Sequence, residues 1–212
     1  MNEQVDPRQR RRARVIMIIL MMMFLAPAIA AWVVYKYFPD SVRGFGTTNY
    51  GSFVQPPRPL DLSGLRGLDG KAVDPNLFKD KWTMVYVGSS HCDNTCRSSL
   101  YIMRQIRLTQ GAEMDRVGRL LVLTDTDALD QLKTFLKGYS GMTVAATTSP
   151  QFLKPFVISG GPAPAQAGRV YLVDPRGALM MYYDPAKDPS DLAHATGIRK
   201  DLGKILRATK IR

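Results

Sequence analysis

The residues best suited to chemistry in this chain are its two cysteines, Cys92 and Cys96, which lie four positions apart in the segment His-Cys-Asp-Asn-Thr-Cys. Two neighbouring thiols can form a disulfide, exchange it with another thiol through a mixed disulfide, or bind a soft metal ion. At a helix N-terminus the dipole stabilises a thiolate, so we expect a lowered thiol pKa and a more nucleophilic sulfur there. The segment therefore predicts a redox-capable pair.

A passive structural disulfide is the alternative interpretation, because exported thiols are commonly oxidised. Closing a loop of about five residues contributes only about 2 kcal/mol through the entropy of the unfolded chain, against about 3 kcal/mol for fifteen residues. So short a loop adds little stability, and a functional pair is favoured.

The cysteines fall where a predicted strand is followed by a predicted helix. Residues 83–87 form an apolar run rich in β-forming residues, which is typical of a buried strand. Residues 93–110 carry apolar side chains at helical spacing, and Gly111 follows as a stop signal. Spacing of four places two side chains on one helical face, close enough for a disulfide if the first cysteine lies in the preceding turn.

The sequence after this helix continues to alternate between strands and helices. Further strands are predicted at 119–123, 142–146, 170–173 and 178–183, and further helices at 127–137, 150–156 and 190–208. Such alternation predicts a parallel α/β sheet, and the Asp-Pro-Arg-Gly turn at 174–177 predicts a final hairpin. Parallel strands followed by an antiparallel hairpin and a helix are the thioredoxin arrangement. The predicted fold class is therefore α/β, a thioredoxin-like central mixed sheet flanked by helices.

The N-terminal part of the chain predicts a membrane anchor. Residues 15–35 contain no charged side chain, and a helix of this length spans about 31 Å, close to the thickness of a hydrocarbon core of about 30 Å. Five arginines precede this run and an aromatic belt ends it, so the positive-inside rule places the N-terminus in the cytoplasm. A cleaved signal peptide is the alternative, since small residues at 26–30 resemble cleavage sites, but the apolar run continues beyond them.

These features divide the chain into a cytoplasmic basic arm (1–14), a transmembrane helix (15–37), a Gly- and Pro-rich linker (38–59) and a thioredoxin-like domain (60–212). The expected location is the cell inner membrane, with one span and a periplasmic C-terminal domain. The formal net charge is +11, part of it in the arm and part in a cationic terminal helix. Topology accounts for the arm, so membrane lipid is an expected partner and nucleic acid is not.

The motif and its surroundings resemble the Sco/SenC family of cytochrome c oxidase assembly proteins, which are membrane-anchored, thioredoxin-like and carry a Cys-x₃-Cys motif. The similarity covers most of 60–207 and is carried by a segment containing Gly70, by Lys81-Trp82, and by 88–96, 121–125 and 171–177. In that family the two cysteines bind copper together with a distal histidine. Cys92 and Cys96 occupy the cysteine positions. The corresponding loop, 159–168, contains no histidine, and the family's histidine position falls near Gln166.

Neither histidine of this chain is an evident substitute. His91 adjoins Cys92, so both could bind one ion only with strained geometry, and tuning of the neighbouring thiolate is its expected role. His194 lies in the predicted terminal helix and is expected at the surface. A zinc site of two cysteines and two histidines lacks the usual spacing.

The resemblance implies a factor for maturation of the oxidase copper site, with oxidase subunit II or other assembly factors as partners. Three hypotheses follow. The first is a thiol-disulfide factor in which Cys92, expected to be the more exposed cysteine, attacks and Cys96 resolves. The second is a chaperone that holds Cu(I) through both thiolates and binds Cu(II) weakly. The third is a non-catalytic scaffold that docks through the basic terminal helix. Oxidoreductase activity belongs to the first hypothesis, and the sequence alone leaves it undecided.

Overall fold

The computed structural model describes residues 7–37, 49–186 and 191–209, and the chain divides into two compact units, Met1–Thr48 and Asn49–Arg212. The described part of the first unit is a single helix, α1 (Pro7–Tyr37). Its stretch Arg10–Tyr37 is long and apolar enough to cross a membrane, and none of its most apolar window is buried by protein. Among the described residues, one helix that could span a membrane thus lies where an anchor was predicted, and it already includes residues 7–14 of the predicted arm. The direction of crossing stays a prediction.

The second unit is built on one mixed sheet, whose seven strands among the described residues have the order β1-β7-β6-β3-β4-β5-β2. The strands are β1 (Ser52–Pro59), β2 (Arg66–Gly67), β3 (Trp82–Gly88), β4 (Val117–Leu123), β5 (Thr143–Ala146), β6 (Val170–Val173) and β7 (Ala178–Tyr183). The central strands β3, β4 and β5 are parallel, while β6 runs antiparallel to β3 and forms a hairpin with β7. This is the predicted thioredoxin-like topology.

Helices cover the sheet on both faces. They are α2 (Asn94–Leu108), α3 (Leu129–Leu136), α4 (Pro150–Leu153), which continues into a 3₁₀ turn (Lys154–Phe156), and α5 (Leu192–Ala208). One core forms where α2 and α5 pack on the sheet, and a second forms on the opposite face around Phe152 and Phe156. Because both faces are covered, every residue of β3 is buried. The first turn of α2, which carries Cys96, is thus fixed against a rigid central strand.

The prediction that 38–59 is a linker is wrong for its last part, because Ser52–Pro59 forms strand β1. This strand lies at the sheet edge, antiparallel to β7, with its register interrupted between Phe53 and Arg58. Prolines are tolerated there because an edge strand needs hydrogen bonds on one side only and the interruption removes some of those. The folded unit therefore begins near Asn49 rather than at 60. Residues 38–48 lie outside the described part of the chain.

The start of the second unit is attached to α5 by a buried carboxylate. The Oδ2 atom of Asp201 accepts hydrogen bonds from the backbone N–H groups of Tyr50, at 2.8 Å, and Gly51, at 2.9 Å. The Tyr50 hydroxyl lies 3.0 Å from Nδ1 of His194, and the ring of Tyr50 stacks on Tyr183. The N-terminal segment is thus joined to the terminal helix through side chains far apart in sequence.

The expected surface position of His194 is wrong. Its exposure is 4%, because Tyr50 covers the imidazole and Asp191 caps the backbone N–H of this residue at the start of α5. Burial lowers the pKa of His194, although the negative charges of Asp191 and Asp184 act in the opposite direction. The histidine serves to hold the N-terminal segment in place.

Gly197 in α5 tests how strongly this attachment contributes to stability. A Cβ atom at Gly197 would overlap the ring of Tyr50, whereas one at Gly203, two turns later, would come no closer than 3.5 Å to the Arg207 side chain. Gly203→Ala should stabilise the helix by about 1 kcal/mol. Gly197→Ala has the same gain in helix propensity but should lose about 1–3 kcal/mol through overlap, so it should be less stable than Gly203→Ala.

Thermal unfolding of the full chain in detergent, followed by circular dichroism, measures the difference between these variants. Equal melting temperatures for Gly197→Ala and Gly203→Ala would contradict the packing of Tyr50 on α5.

Candidate functional site

Cys92 and Cys96 are joined by a disulfide in the connection between β3 and α2. The S–S distance is 2.01 Å and the two Cα atoms are 5.1 Å apart, as usual for a disulfide. β3 ends at Gly88 and α2 begins at Asn94, so Cys92 lies in the connecting turn and Cys96 in the first helical turn. The structure therefore brings together the two residues that the sequence singles out.

The turn that carries Cys92 is held by its neighbours. Asp93 is the N-cap of α2, and its Oδ1 atom accepts a hydrogen bond from the backbone N–H of Cys96 at 2.9 Å. Nε of Arg97 donates to the carbonyl oxygen of Cys92 at 3.1 Å, and its guanidinium lies over the ring of Phe135. Cys92 has φ of +39°, a left-handed conformation that is uncommon for a residue with a side chain. The cap and Arg97 favour this conformation by bonding both sides of the turn.

A second set of hydrogen bonds joins the turn to the segment after β4. The backbone N–H of Ser90 donates to Oδ1 of Asp125 at 2.9 Å, and its hydroxyl donates to the same oxygen. The hydroxyl also accepts from the backbone N–H of Ala128 at 3.0 Å. Partial burial acts to raise the pKa of Asp125, but hydrogen bonds from Ser90 and Ser89 together lower it. Asp125 thus remains an ionised acceptor that ties the two connections together.

The disulfide borders a pocket of about 320 Å³. The wall includes residues 88, 89 and 91–93 of the turn, Thr95, the loop 165–168, Pro185 and Ala186, with Tyr86 also contributing. Burial, and to a smaller extent the negative charge of Asp93, raises the pKa of Tyr86, which keeps its phenol neutral. The disulfide therefore forms part of the wall of this pocket.

Cys92 and Cys96 are both buried, so the expected difference in exposure between them is not seen. Their exposures are 4% and 3%, because the loop 165–168 closes against the start of α2. A Cβ atom at Gly168 would lie 2.8 Å from Cγ2 of Thr95 and 3.3 Å from Cβ of Pro185, which shows how closely this loop approaches. Both sulfurs are recessed behind the pocket rather than displayed on the surface.

His91 and Gln166 line the same pocket. Gln166 belongs to the loop in which the resemblance to the Sco/SenC family predicts a histidine. Since Gln166 lines the pocket together with both cysteines, this loop faces them. Within the described ranges, no group of three or more His, Cys, Asp and Glu side chains is placed to hold a metal ion. After reduction of the disulfide, the thiolates of Cys92 and Cys96 are soft ligands that this pocket could offer to a metal ion.

Sequence reasoning missed the side chains that support the pair. Asp93 precedes the predicted helix, and aspartate is a preferred N-cap residue, so its capping role could have been predicted from the sequence. The bonds between Ser90 and Asp125 have no signal in local sequence, because these residues are 35 positions apart.

Comparison with known proteins gives the family. Residues 82–209 match the family described as transmembrane-like, thioredoxin-like, C-terminal domain. Because this match covers more than half of the chain, the chain belongs to that family.

One curated relative of the chain is a Sco protein. The chain is 26% identical over 144 residues to protein SCO1 homolog 1, mitochondrial, of Arabidopsis thaliana. This match covers 63% of the chain but 43% of that protein, so the chain spans less than half of the length of this relative.

Two solved structures share the fold. One is apo Sco1 from Thermus thermophilus, with a TM-score of 0.54, 19% identity, and coverage of 77% of this chain and 100% of that one. The other is a SCO1/SenC family lipoprotein from Bacillus anthracis, with a TM-score of 0.51, 15% identity, and coverage of 74% and 99%. The thioredoxin-like fold and the resemblance to Sco/SenC proteins are therefore confirmed.

Asp93 has two separable effects on the site, one through its hydrogen bond and one through its charge. Asn caps helices about as well as Asp, so Asp93→Asn should retain the stability of α2 and, by removing a negative charge beside the sulfurs, lower the pKa of the reactive thiol. Asp93→Ala removes the cap as well and should cost about 0.5–2 kcal/mol of stability.

Thiolate absorbance against pH measures the thiol pKa of each reduced variant, and thermal unfolding measures stability. A thiol pKa in Asp93→Asn equal to that of the unmodified chain would show that this carboxylate does not influence the pair.

Proposed function

We propose that the chain is a membrane-anchored, thioredoxin-like assembly factor of Sco/SenC type whose Cys92–Cys96 pair cycles between dithiol and disulfide. In this role it supports maturation of the copper site of cytochrome c oxidase, by keeping the copper-ligand cysteines of subunit II reduced. The observation that carries the proposal is a disulfide bordering a pocket at the start of a helix. The family and its Sco relatives agree with this role.

The proposed reaction moves two electrons to the partner in two exchange steps. The Cys92 thiolate attacks one sulfur of a partner disulfide, forming a mixed disulfide and releasing one partner thiolate. The Cys96 thiolate then attacks the Cys92 sulfur, which forms the Cys92–Cys96 bond and releases the second partner thiolate. Both released thiolates take up the protons that the two cysteines lost. A separate dithiol reductant must then return two electrons to the pair.

The positions of the two sulfurs support these roles. Cys92 lies in the turn before the helix, while Cys96 is fixed in the first turn by the bond from its N–H to Asp93. The Cα separation of 5.1 Å lets the second sulfur reach the first without backbone movement. The pocket beside the disulfide would then receive the partner, and its walls limit access to a narrow, extended segment.

The proposed location is the inner membrane, with the N-terminus in the cytoplasm and the thioredoxin-like unit in the periplasm. Five arginines at the N-terminal end of the apolar helix support this direction. An exported dithiol tends to become oxidised, so the pair would act as a reductant only where another thiol system renews it.

Copper transfer is the second candidate function, and the shared pocket of Cys92, Cys96 and Gln166 favours it. Copper would then be cargo. Two thiolates suit Cu(I), which is soft and accepts low coordination numbers. Among the described residues, no third histidine, cysteine or carboxylate is placed with the two cysteines as a metal-ligand group, which favours weak binding of Cu(II).

Cysteine variants in cells test the redox proposal. Cys96→Ser should accumulate a mixed disulfide through Cys92, because the resolving thiol is gone, whereas Cys92→Ser should not. Both variants should reduce oxidase activity to the level of cells that lack the chain. Thiol alkylation followed by mass spectrometry measures the redox states.

Full oxidase activity in the Cys92→Ser, Cys96→Ser double variant would favour a scaffold. A pair that is oxidised at all times would favour a passive disulfide.

Copper titration of the reduced full chain in detergent tests the second function. We expect tight binding of one Cu(I) and weak binding of Cu(II). Gln166→His should raise Cu(II) affinity by at least about tenfold, because even indirect partners of a metal site change affinity by about 10–100-fold.

The matched control is Gln151→His, which adds an exposed histidine on α4 away from the pocket. A failure to bind Cu(I) would end the chaperone hypothesis, and no gain from Gln166→His would show that this loop does not correspond to the family's ligand loop.

A further inference from the structure

The exposed face of α5 borders a second cavity, of about 440 Å³, between this helix and the segment that follows α2. Four cationic side chains line it, and all four residues are exposed. They are Arg199, Lys200, Lys204 and Arg207. We call this cavity the α5 cleft. It plays no part in the thiol chemistry proposed above.

The α5 cleft has an excess of positive charge. Glu113 is its one acidic lining residue, and its carboxylate forms an ion pair of 2.6 Å with Arg116. Arg116 also donates hydrogen bonds to the carbonyl oxygens of Leu206 and Thr209, so it is fixed beside the carboxylate. The lining of the cleft therefore carries four cationic side chains against one carboxylate, and that carboxylate is already paired with Arg116.

Compensation of the helix dipole does not account for this charge. Cations stabilise a helix within its last turn, and Arg207 is placed to do so. Arg199 and Lys200 lie near the middle of α5, too far from its end for this effect. The concave arrangement of four cations instead suits a ligand that carries negative oxygens, such as a phosphate group.

The chain itself brings a membrane within reach of α5. The backbone N–H groups of Tyr50 and Gly51 bond to Asp201, which is the neighbour of Lys200 on this helix. Only residues 38–48 separate α1 from the second unit, and eleven residues span at most about 40 Å. In a chain anchored through α1, the second unit is therefore tethered to the bilayer. Lipid headgroups are consequently present at high local concentration.

We propose that the α5 cleft binds the phosphate groups of anionic phospholipids and docks the second unit on the membrane surface. Each cation near an anionic membrane surface strengthens such binding by about fivefold, and salt weakens it. The site uses residues of α5 and the segment after α2, and no residue of the thiol pocket.

The test uses the full chain in nanodiscs of phosphatidylcholine, with or without phosphatidylglycerol. A short pulse of an amine-reactive reagent, followed by peptide mass spectrometry, reports the labelling of Lys200 and Lys204 in the cleft. Lys71 and Lys79, which are exposed and outside the cleft, serve as internal references. We expect phosphatidylglycerol to slow labelling of the cleft lysines at least about fivefold relative to the references.

Charge reversal at other cleft positions keeps both reporter lysines in place. Arg199→Glu with Arg207→Glu should abolish the slowing. The matched control, Lys133→Glu with Lys137→Glu, makes the same change in net charge at exposed positions on and beside α3 and should retain it.

Equal labelling in the two lipid compositions, or equal loss in the control variant, would overturn the proposal. Two further samples distinguish anionic lipid from other anionic ligands: inorganic phosphate or polyglutamate is added to the chain in phosphatidylcholine nanodiscs, and labelling of the same lysines is measured. Slowing by either one as large as that by phosphatidylglycerol would assign the cleft to free anions or acidic peptides and overturn the lipid assignment.

Discussion

The site depends on the bond between the Asp93 carboxylate and the N–H of Cys96. This bond begins α2 at Asn94, six positions after Gly88, the last residue of β3. Because the helix starts there, the sulfur of Cys96 points back toward the turn, where Cys92 adopts a left-handed conformation and meets it. A start one residue earlier or later would turn Cys96 by about 100° around the helix axis.

The sheet makes this local arrangement rigid. β3 is buried along its whole length between β4 and β6, so the end of the strand cannot shift without disturbing two neighbours. The bonds from Ser90 to Asp125 extend the same restraint to the connection after β4. The loop 165–168 then approaches from the hairpin side and completes the pocket. Three connections thus support the disulfide: the turn between β3 and α2, the segment after β4, and the loop 165–168.

The parts of the structure that were predictable from sequence are those governed by local pattern. Periodicity located β3, α2 and the final hairpin to within one or two residues at most ends, and spacing placed Cys92 beside Cys96. The strand β1 was missed because its prolines indicate a linker, whereas an edge strand accepts them. The burial of His194 was missed because the residue that covers it, Tyr50, is 144 positions away. The recession of the sulfurs also depends on distant residues, those of the loop 165–168.

The central claim is that the Cys92–Cys96 bond is open to exchange in the folded chain, and the rate of its reduction tests this most directly. The full chain in detergent is mixed with a small dithiol, and the loss of the disulfide is followed by alkylation, with and without denaturant. The account predicts rapid reduction of the native chain. It also predicts a midpoint reduction potential above about −300 mV, because the potentials of structural disulfides lie below about that value. A bond that resists reduction until the chain unfolds would contradict it.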